Sequence, residues 1–265
     1  MSQTSAAGQI SGNMFLYERP ALLSREEHGG YGINPSDTPF TFCSKVRAIP
    51  IVIGEISLAA RTYPIVFHEA NRMIPLAVVG LVDEVNLFVN ENGLWEPEAY
   101  IPAYVRRYPF AVASESGGGD RLAIVVDMAY RGLSPNAQTP FFQNGEPTDA
   151  MKQMIEFCQG YESDRRFSEQ MLTELEKYDL VTGQQAQYTP PGATEAVTFA
   201  NYFGVDEERL AKLPDDKFLE LRRNGLLGII HAQLWSMGNW RLLMERRMRR
   251  YGLAQDQILT PLRVS

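Results

Sequence analysis

Arg61-Thr62-Tyr63-Pro64-Ile65-Val66-Phe67 recurs 45 residues further on as Arg106-Arg107-Tyr108-Pro109-Phe110-Ala111-Val112. Ile56 maps onto Ile101 at the same offset, and after one residue of slip Leu76-Ala77-Val78-Val79 aligns with Leu122-Ala123-Ile124-Val125. Each copy reads as a short helix, an Arg-x-Tyr-Pro corner, a strand, a turn and a second strand. Proline suits the corner because it cannot continue a helix and keeps the preceding tyrosine extended. Two helix–strand–strand repeats joined by short turns predict a mainly antiparallel sheet, open or partly closed into a barrel.

Working outward, the strand candidates are 46–52, 65–68, 75–79, 86–89, 111–114 and 122–127, all rich in Val, Ile and Phe. Asn90-Glu91-Asn92-Gly93 and Ser116-Gly117-Gly118-Gly119-Asp120 have turn chemistry. Beyond Asn144 the period changes. Thr148 or Asp149 caps a helix that runs to about residue 178, with Met154, Phe157, Cys158, Tyr161, Phe167, Met171, Leu172 and Leu175 as its apolar stripe. A loop at 184–191, a returning strand at 196–205 and helices at 206–212 and 214–251 follow, the last bent near Asn224-Gly225. The expected fold class is α+β in one compact domain. Residues 1–12 are a flexible tail, 13–145 a β-rich duplicated region, 146–251 a helical region packed on the sheet, and 252–265 a second tail.

Composition narrows the function. A chain of 265 residues, 45% hydrophobic, carries enough apolar surface to exclude wholesale disorder. A net charge of −7 makes general nucleic-acid binding unfavourable, because that affinity comes from neutralised phosphates. Cys43 and Cys158 make no disulfide framework and read as small buried side chains. The start lacks a basic and then apolar leader, which points to the cytoplasm, or to the surface by a route without an N-terminal signal. The apolar run 225–240 is interrupted by His231, Gln233, Ser236 and Asn239, so it reads as a buried helix and not a membrane span.

No catalytic constellation stands out. His28, His68 and His231 lack HxD, HxE or HExxH spacing, so neither a metal nor another cofactor is called for. On a strand, His68 and Glu69 would face opposite sides. His231 reads as a core histidine with one hydrogen bond. There is no GxSxG, the Gly117–Gly119 run lacks a P-loop lysine, and Asp83-Glu84 reads as a solvated turn. The segment 95–110 has the densest clustering of arginine and aromatic residues. Trp95, Tyr100, Tyr104, Arg106, Arg107 and Tyr108, with Arg61 and Tyr63 of the first copy, are the candidate binding residues. A planar guanidinium recognises carboxylate or phosphate, and Tyr and Trp add rigid contact area. The competing reading has the arginines tying strand ends and the tyrosines filling a helix–sheet interface, with Asp120 and Asp127 as acidic partners. The basic helix Arg241–Arg250 is a further, weaker surface.

Tyr63-Pro64-Ile65-Val66-Phe67, Asn86-Leu87-Phe88-Val89, Gly93-x-Trp95 and Tyr100-Ile101-Pro102-Ala103-Tyr104-Val105-Arg106-Arg107-Tyr108-Pro109-Phe110 together resemble the bacterial SapC family. Phe142-x-x-Gly145-Glu146-Pro147-Thr148 and Leu213-Pro214-Asp215-Asp216-Lys217 extend the likeness, which covers about residues 14–243. The resemblance implies an association with surface-layer biogenesis or uptake genes, and it supplies no catalytic residues. The expected function is a non-catalytic accessory or binding protein of envelope, surface-layer or uptake systems. Its partner is a protein or peptide, envelope and secretion components included, or a small anion. The alternative is an enzyme of unassigned chemistry on peptides or aromatic metabolites, with Tyr104, Arg106, Tyr108 and His68 around its pocket.

Overall fold

The computed structural model describes residues 14–69, 73–114 and 122–262. The chain begins with β1 (Pro20–Leu22), α1 (Arg25–His28), β2 (Tyr31–Ile33), β3 (Ala48–Pro50), α2 (Ile56–Ala59), β4 (Ile65–Phe67) and β5 (Pro75–Val78). It continues through α3 (Ala103–Arg106), β6 (Phe110–Ser114), β7 (Leu122–Asp127), β8 (Leu133–Pro135), β9 (Thr139–Pro140), β10 (Phe142–Gln143) and β11 (Glu146–Pro147). The second half holds α4 (Asp149–Glu176), β12 (Val181–Tyr188), β13 (Val197–Val205), α5 (Glu207–Ala211), α6 (Asp215–Arg223), α7 (Leu226–Ser236) and α8 (Asn239–Tyr251).

The fold is α+β. Its strands form several small antiparallel sheets, ordered β12-β13-β4-β5-β3, β1-β7-β6, β8-β2-β9 and β10-β11. No sheet closes into a barrel among the described residues, which corrects that part of the expectation. The duplication is not shown either. The two hairpins lie in different sheets, and their registers differ: Ile65 faces Ala77, whereas Phe110 faces Val126 and not Ala123. The 1–12 tail and the Ser116–Asp120 turn lie outside the described residues.

The α7–α8 segment shows how polar residues inside an apolar run are used. β4 is buried throughout, yet it meets β13 at one pair only, Phe203 with Phe67, so the backbone groups of Ile65 lack strand partners on that side. Ser236 Oγ accepts from Ile65 N–H at 2.9 Å, and Gln233 Nε2 donates to Ile65 O at 3.0 Å. Gln233 Oε1 also accepts from Val205 N–H at 3.1 Å. Asn239 Nδ2 donates to the carbonyls of Ala60 and Tyr63. Buried backbone groups need such partners, and here a helix supplies what a strand does not. No described helix is long and apolar enough to cross a membrane.

Other differences have local causes. The expected 184–191 loop is largely strand β12: its glutamines pair across the hairpin, Gln185 with Asn201 and Gln187 with Thr198, so polarity masks a strand. Residues 86–89 form no strand; only Val89 bridges to Trp95 across the turn at Gly93, whose φ is +68°. Thr148 is the α4 cap, its hydroxyl accepting from Met151 N–H. Phe167, placed in the α4 apolar stripe, points outward. Residues 252–262 do not form a free tail, because Ile258 is buried in the main core. Asp83 is no solvated turn residue: it accepts from the buried Arg247 through Nη2 at 2.6 Å and Nε at 3.2 Å.

Gly32 sits between β8 and β9, where an added Cβ would stand 2.2 Å from Thr139 O and 2.6 Å from Pro140 Cα. Neither backbone atom can swing away. Gly32→Ala is therefore expected to lower stability by about 1–3 kcal/mol, read as a reduced midpoint in urea unfolding.

Candidate functional site

The arginine–aromatic segment does not form one continuous surface. Tyr63, Trp95, Tyr104 and Arg107 are buried, Tyr100 and Tyr108 are half-buried, and only Arg61 and Arg106 are exposed. This corrects the expectation of an outward-facing ribbon. α3 is one short turn, and successive residues on a helix point about 100° apart, so Arg106 faces out where Arg107 faces in.

The buried members build a polar core. Glu55, almost fully buried, accepts from Val52 N–H at 3.0 Å, Ala103 N–H at 2.6 Å and Tyr100 Oη at 2.7 Å. Burial first, and the Glu55 carboxylate second, push the Tyr100 phenol up to about 12. Tyr63 Oη donates to Tyr100 O, and its ring lies edge-on to Phe88. Tyr108 stacks on Phe42 at 3.8 Å and donates to Asp127 Oδ2 at 3.0 Å. Arg106 rests over Tyr100 and Phe157 and donates to Ile101 O. Arg107 lies 4.2 Å from the Tyr104 ring centre and 4.4 Å from that of Tyr161. Burial holds the phenols of Tyr17, Tyr104 and Tyr161 above their usual range, with Arg107 pulling each back down. These contacts tie the segment to the body of the fold.

The accessible part lies against α8. A cleft of about 430 Å³ is lined by Leu87, Phe88, Glu91, Arg246, Arg249 and Arg250, among others. Arg246 lies 4.4 Å over the Phe88 ring and pairs with Glu96 at 3.1 Å. Arg250 caps the carbonyls of Asn86 and Val89 at 3.0 and 2.8 Å. Arg249, between them, is exposed and has no ion pair among the described residues. A neighbouring cleft of about 270 Å³ shares Arg246 and Arg249 and adds Arg61, Thr62, Glu98, Leu242 and Glu245. The groove thus gathers Arg61 with the basic helix, which the sequence reading kept apart. Phe88 was not among the candidates the sequence offered, and Arg246 and Arg249 were included only in the weaker basic-helix surface. Arg246 and Arg249 had a signal in their i, i+3 spacing along one helical face, and Phe88 had none.

The residues named for a catalytic pocket are not brought together. His68 lines a separate cleft with Phe67, Leu76, Gln184 and Tyr202, and pairs with Glu69 at 3.3 Å because β4 ends at Phe67 and strand alternation no longer applies. His28 is buried in α1, where its Nδ1 accepts from Ser24 N–H. His231 is half-buried and bonds Leu227 O at 2.9 Å. Cys43 and Cys158 are both buried and free, their thiols pushed by burial up to about 12 and about 11. Among the described residues no group of three His, Cys, Asp or Glu side chains is placed to hold a metal ion.

A protein-family model described as SapC matches residues 23–243, well over half of the chain. No curated protein and no solved structure matches it.

Proposed function

This chain belongs to the SapC family, and from that premise we propose that it is a non-catalytic accessory protein of bacterial envelope, surface-layer or uptake systems. It captures a peptide segment of a partner protein in the groove beside α8. The observation that carries this reading is Arg249, an exposed guanidinium without an ion pair among the described residues, between two arginines already fixed by Glu96 and by backbone carbonyls. A fixed frame beside a cation with no ion pair among the described residues is preorganised for a carboxylate, which lowers the ordering cost of binding. Glu91 lines the first cleft and Glu98 the second, so the groove carries both signs of charge. A segment of mixed charge fits that pattern, and a polyanion does not.

Arg61→Glu and Arg249→Glu reverse two charges that carry no described ion pair, so stability is expected to hold. In a pull-down from the native host quantified by mass spectrometry, specific partners of the wild type should fall at least about tenfold, with the loss increasing at low salt. Unchanged recovery by the folded double variant would sink the groove. A gel shift with DNA or RNA that disappears in the same variant would reassign it to nucleic acid.

A further inference from the structure

Arg107 and Arg247 are both buried, at 6% and 1% exposure, but only one is electrically matched. Arg247 has Asp83 and two backbone carbonyls. Among the described residues Arg107 has no carboxylate partner, and its buried Nε–H has no acceptor. What surrounds it is tyrosine. The ring centres of Tyr104 and Tyr161 lie 4.2 and 4.4 Å from its Cζ and 6.1 Å from each other, and Tyr17 lies at 5.9 Å. Those distances place the two nearer rings at about a right angle around the guanidinium, cupping it on two sides. Ring faces stabilise the charge, but they do not satisfy N–H donors.

The cup is closed by the N-terminal segment. Tyr104 Oη donates to Phe15 O at 2.7 Å, and the Phe15 ring packs 5.9 Å from Tyr104. Tyr17 Oη donates to Phe110 O at 2.6 Å. Between them Leu16 has φ +71°, a left-handed conformation that its side chain disfavours. A strained residue sits in the strap that covers an unmatched charge.

We propose that Arg107 is the recognition group of a carboxylate site held shut by residues 14–17, with the Tyr17 ring occupying the place of the ligand's apolar body. A carboxylate follows from the chemistry. Its two oxygens match the guanidinium fork, and its single charge balances the one buried cation without excess. The site is independent of the α8 groove, on different residues of the fold.

The same chemistry is offered by a free aromatic acid and by a peptide C-terminus, so benzoate and a short peptide ending in phenylalanine are both titrated by ligand-observed NMR. Benzamide and the amidated peptide serve as neutral controls. Wild type should bind weakly, because the strap must lift first; Tyr17→Ala should bind at least about tenfold tighter, and adding Arg107→Gln should abolish the gain. Phe15→Ala, at a 44% exposed residue, repeats the test if Tyr17→Ala does not fold. In the wild type, saturating benzoate should speed amide exchange at Glu18 and Arg19 and leave β7 unchanged. Folded strap variants that bind no tighter than wild type would overturn the proposal, as would neutral controls that bind equally or binding that survives Arg107→Gln. Unaltered exchange at Glu18 and Arg19 in wild type under benzoate would also overturn it.

Discussion

Replacing Asp83 with alanine is expected to cost roughly 3–4 kcal/mol of stability, the penalty of leaving a buried guanidinium without its carboxylate. Arg247 sits inside the main core, and two segments converge on it: the 80–86 loop through Asp83, and the returning C-terminal segment through Ile258 and Thr260. Asp83 Oδ1 also accepts from Leu262 N–H at 2.9 Å, so one carboxylate fixes both the arginine and the segment that wraps over it. Desolvation decides the magnitude. An exposed pair contributes at most about 1 kcal/mol, but this arginine is 1% exposed and its partner 16%. Thermal unfolding should shift down by on the order of 10 °C, and amides of 252–262 should lose protection before the rest. The double replacement Asp83→Leu with Arg247→Met should recover most of the loss, because a packed apolar pair carries no uncompensated charge. A single Asp83→Ala variant within 1 kcal/mol of wild type would show that the two carbonyls hold Arg247 unaided.

The same interaction marks a boundary of what sequence can reveal. Asp83-Glu84 reads as a turn because adjacent acids favour water, and Glu84 does pair at the surface with Arg47. Only the fold brings Asp83 to residue 247, 164 positions away. The hairpin strands, α4 and the break at Asn224-Gly225 were legible because β-branched runs, a threonine cap and a glycine at φ +82° are local signals. β12 was not, since its glutamines satisfy one another across a strand pair. Gln233, Ser236 and Asn239 read as interruptions of an apolar helix. Their three-residue spacing puts them on one face, and that face meets the partly unpaired strand β4. The arginine–tyrosine segment was the hardest case. Its composition is that of a recognition surface, and no periodicity separates Arg106, outside, from Arg107, inside.

Asp127 puts that ambiguity to a decisive measurement. The sequence offered it as an acidic partner for the neighbouring arginines; the structure makes it an acceptor. Its carboxylate, fully buried, accepts from the backbone N–H groups of Glu18, Arg19 and Ala129 at 2.9–3.0 Å and from Tyr108 Oη at 3.0 Å. Removing it strands four donors at the junction of β1, β7 and the Tyr-Pro corner. At about 1 kcal/mol each, the low end for partly buried groups, Asp127→Ala should lose about 3–5 kcal/mol. Each oxygen takes two of the four donors, so asparagine would turn its NH2 group toward one such pair and should lose nearly as much stability as alanine. Protection at Glu18 and Arg19 should fall in both variants. Asp127→Ala within about 1 kcal/mol of wild type in urea unfolding would show that other groups serve those donors and that the carboxylate is not what holds the junction.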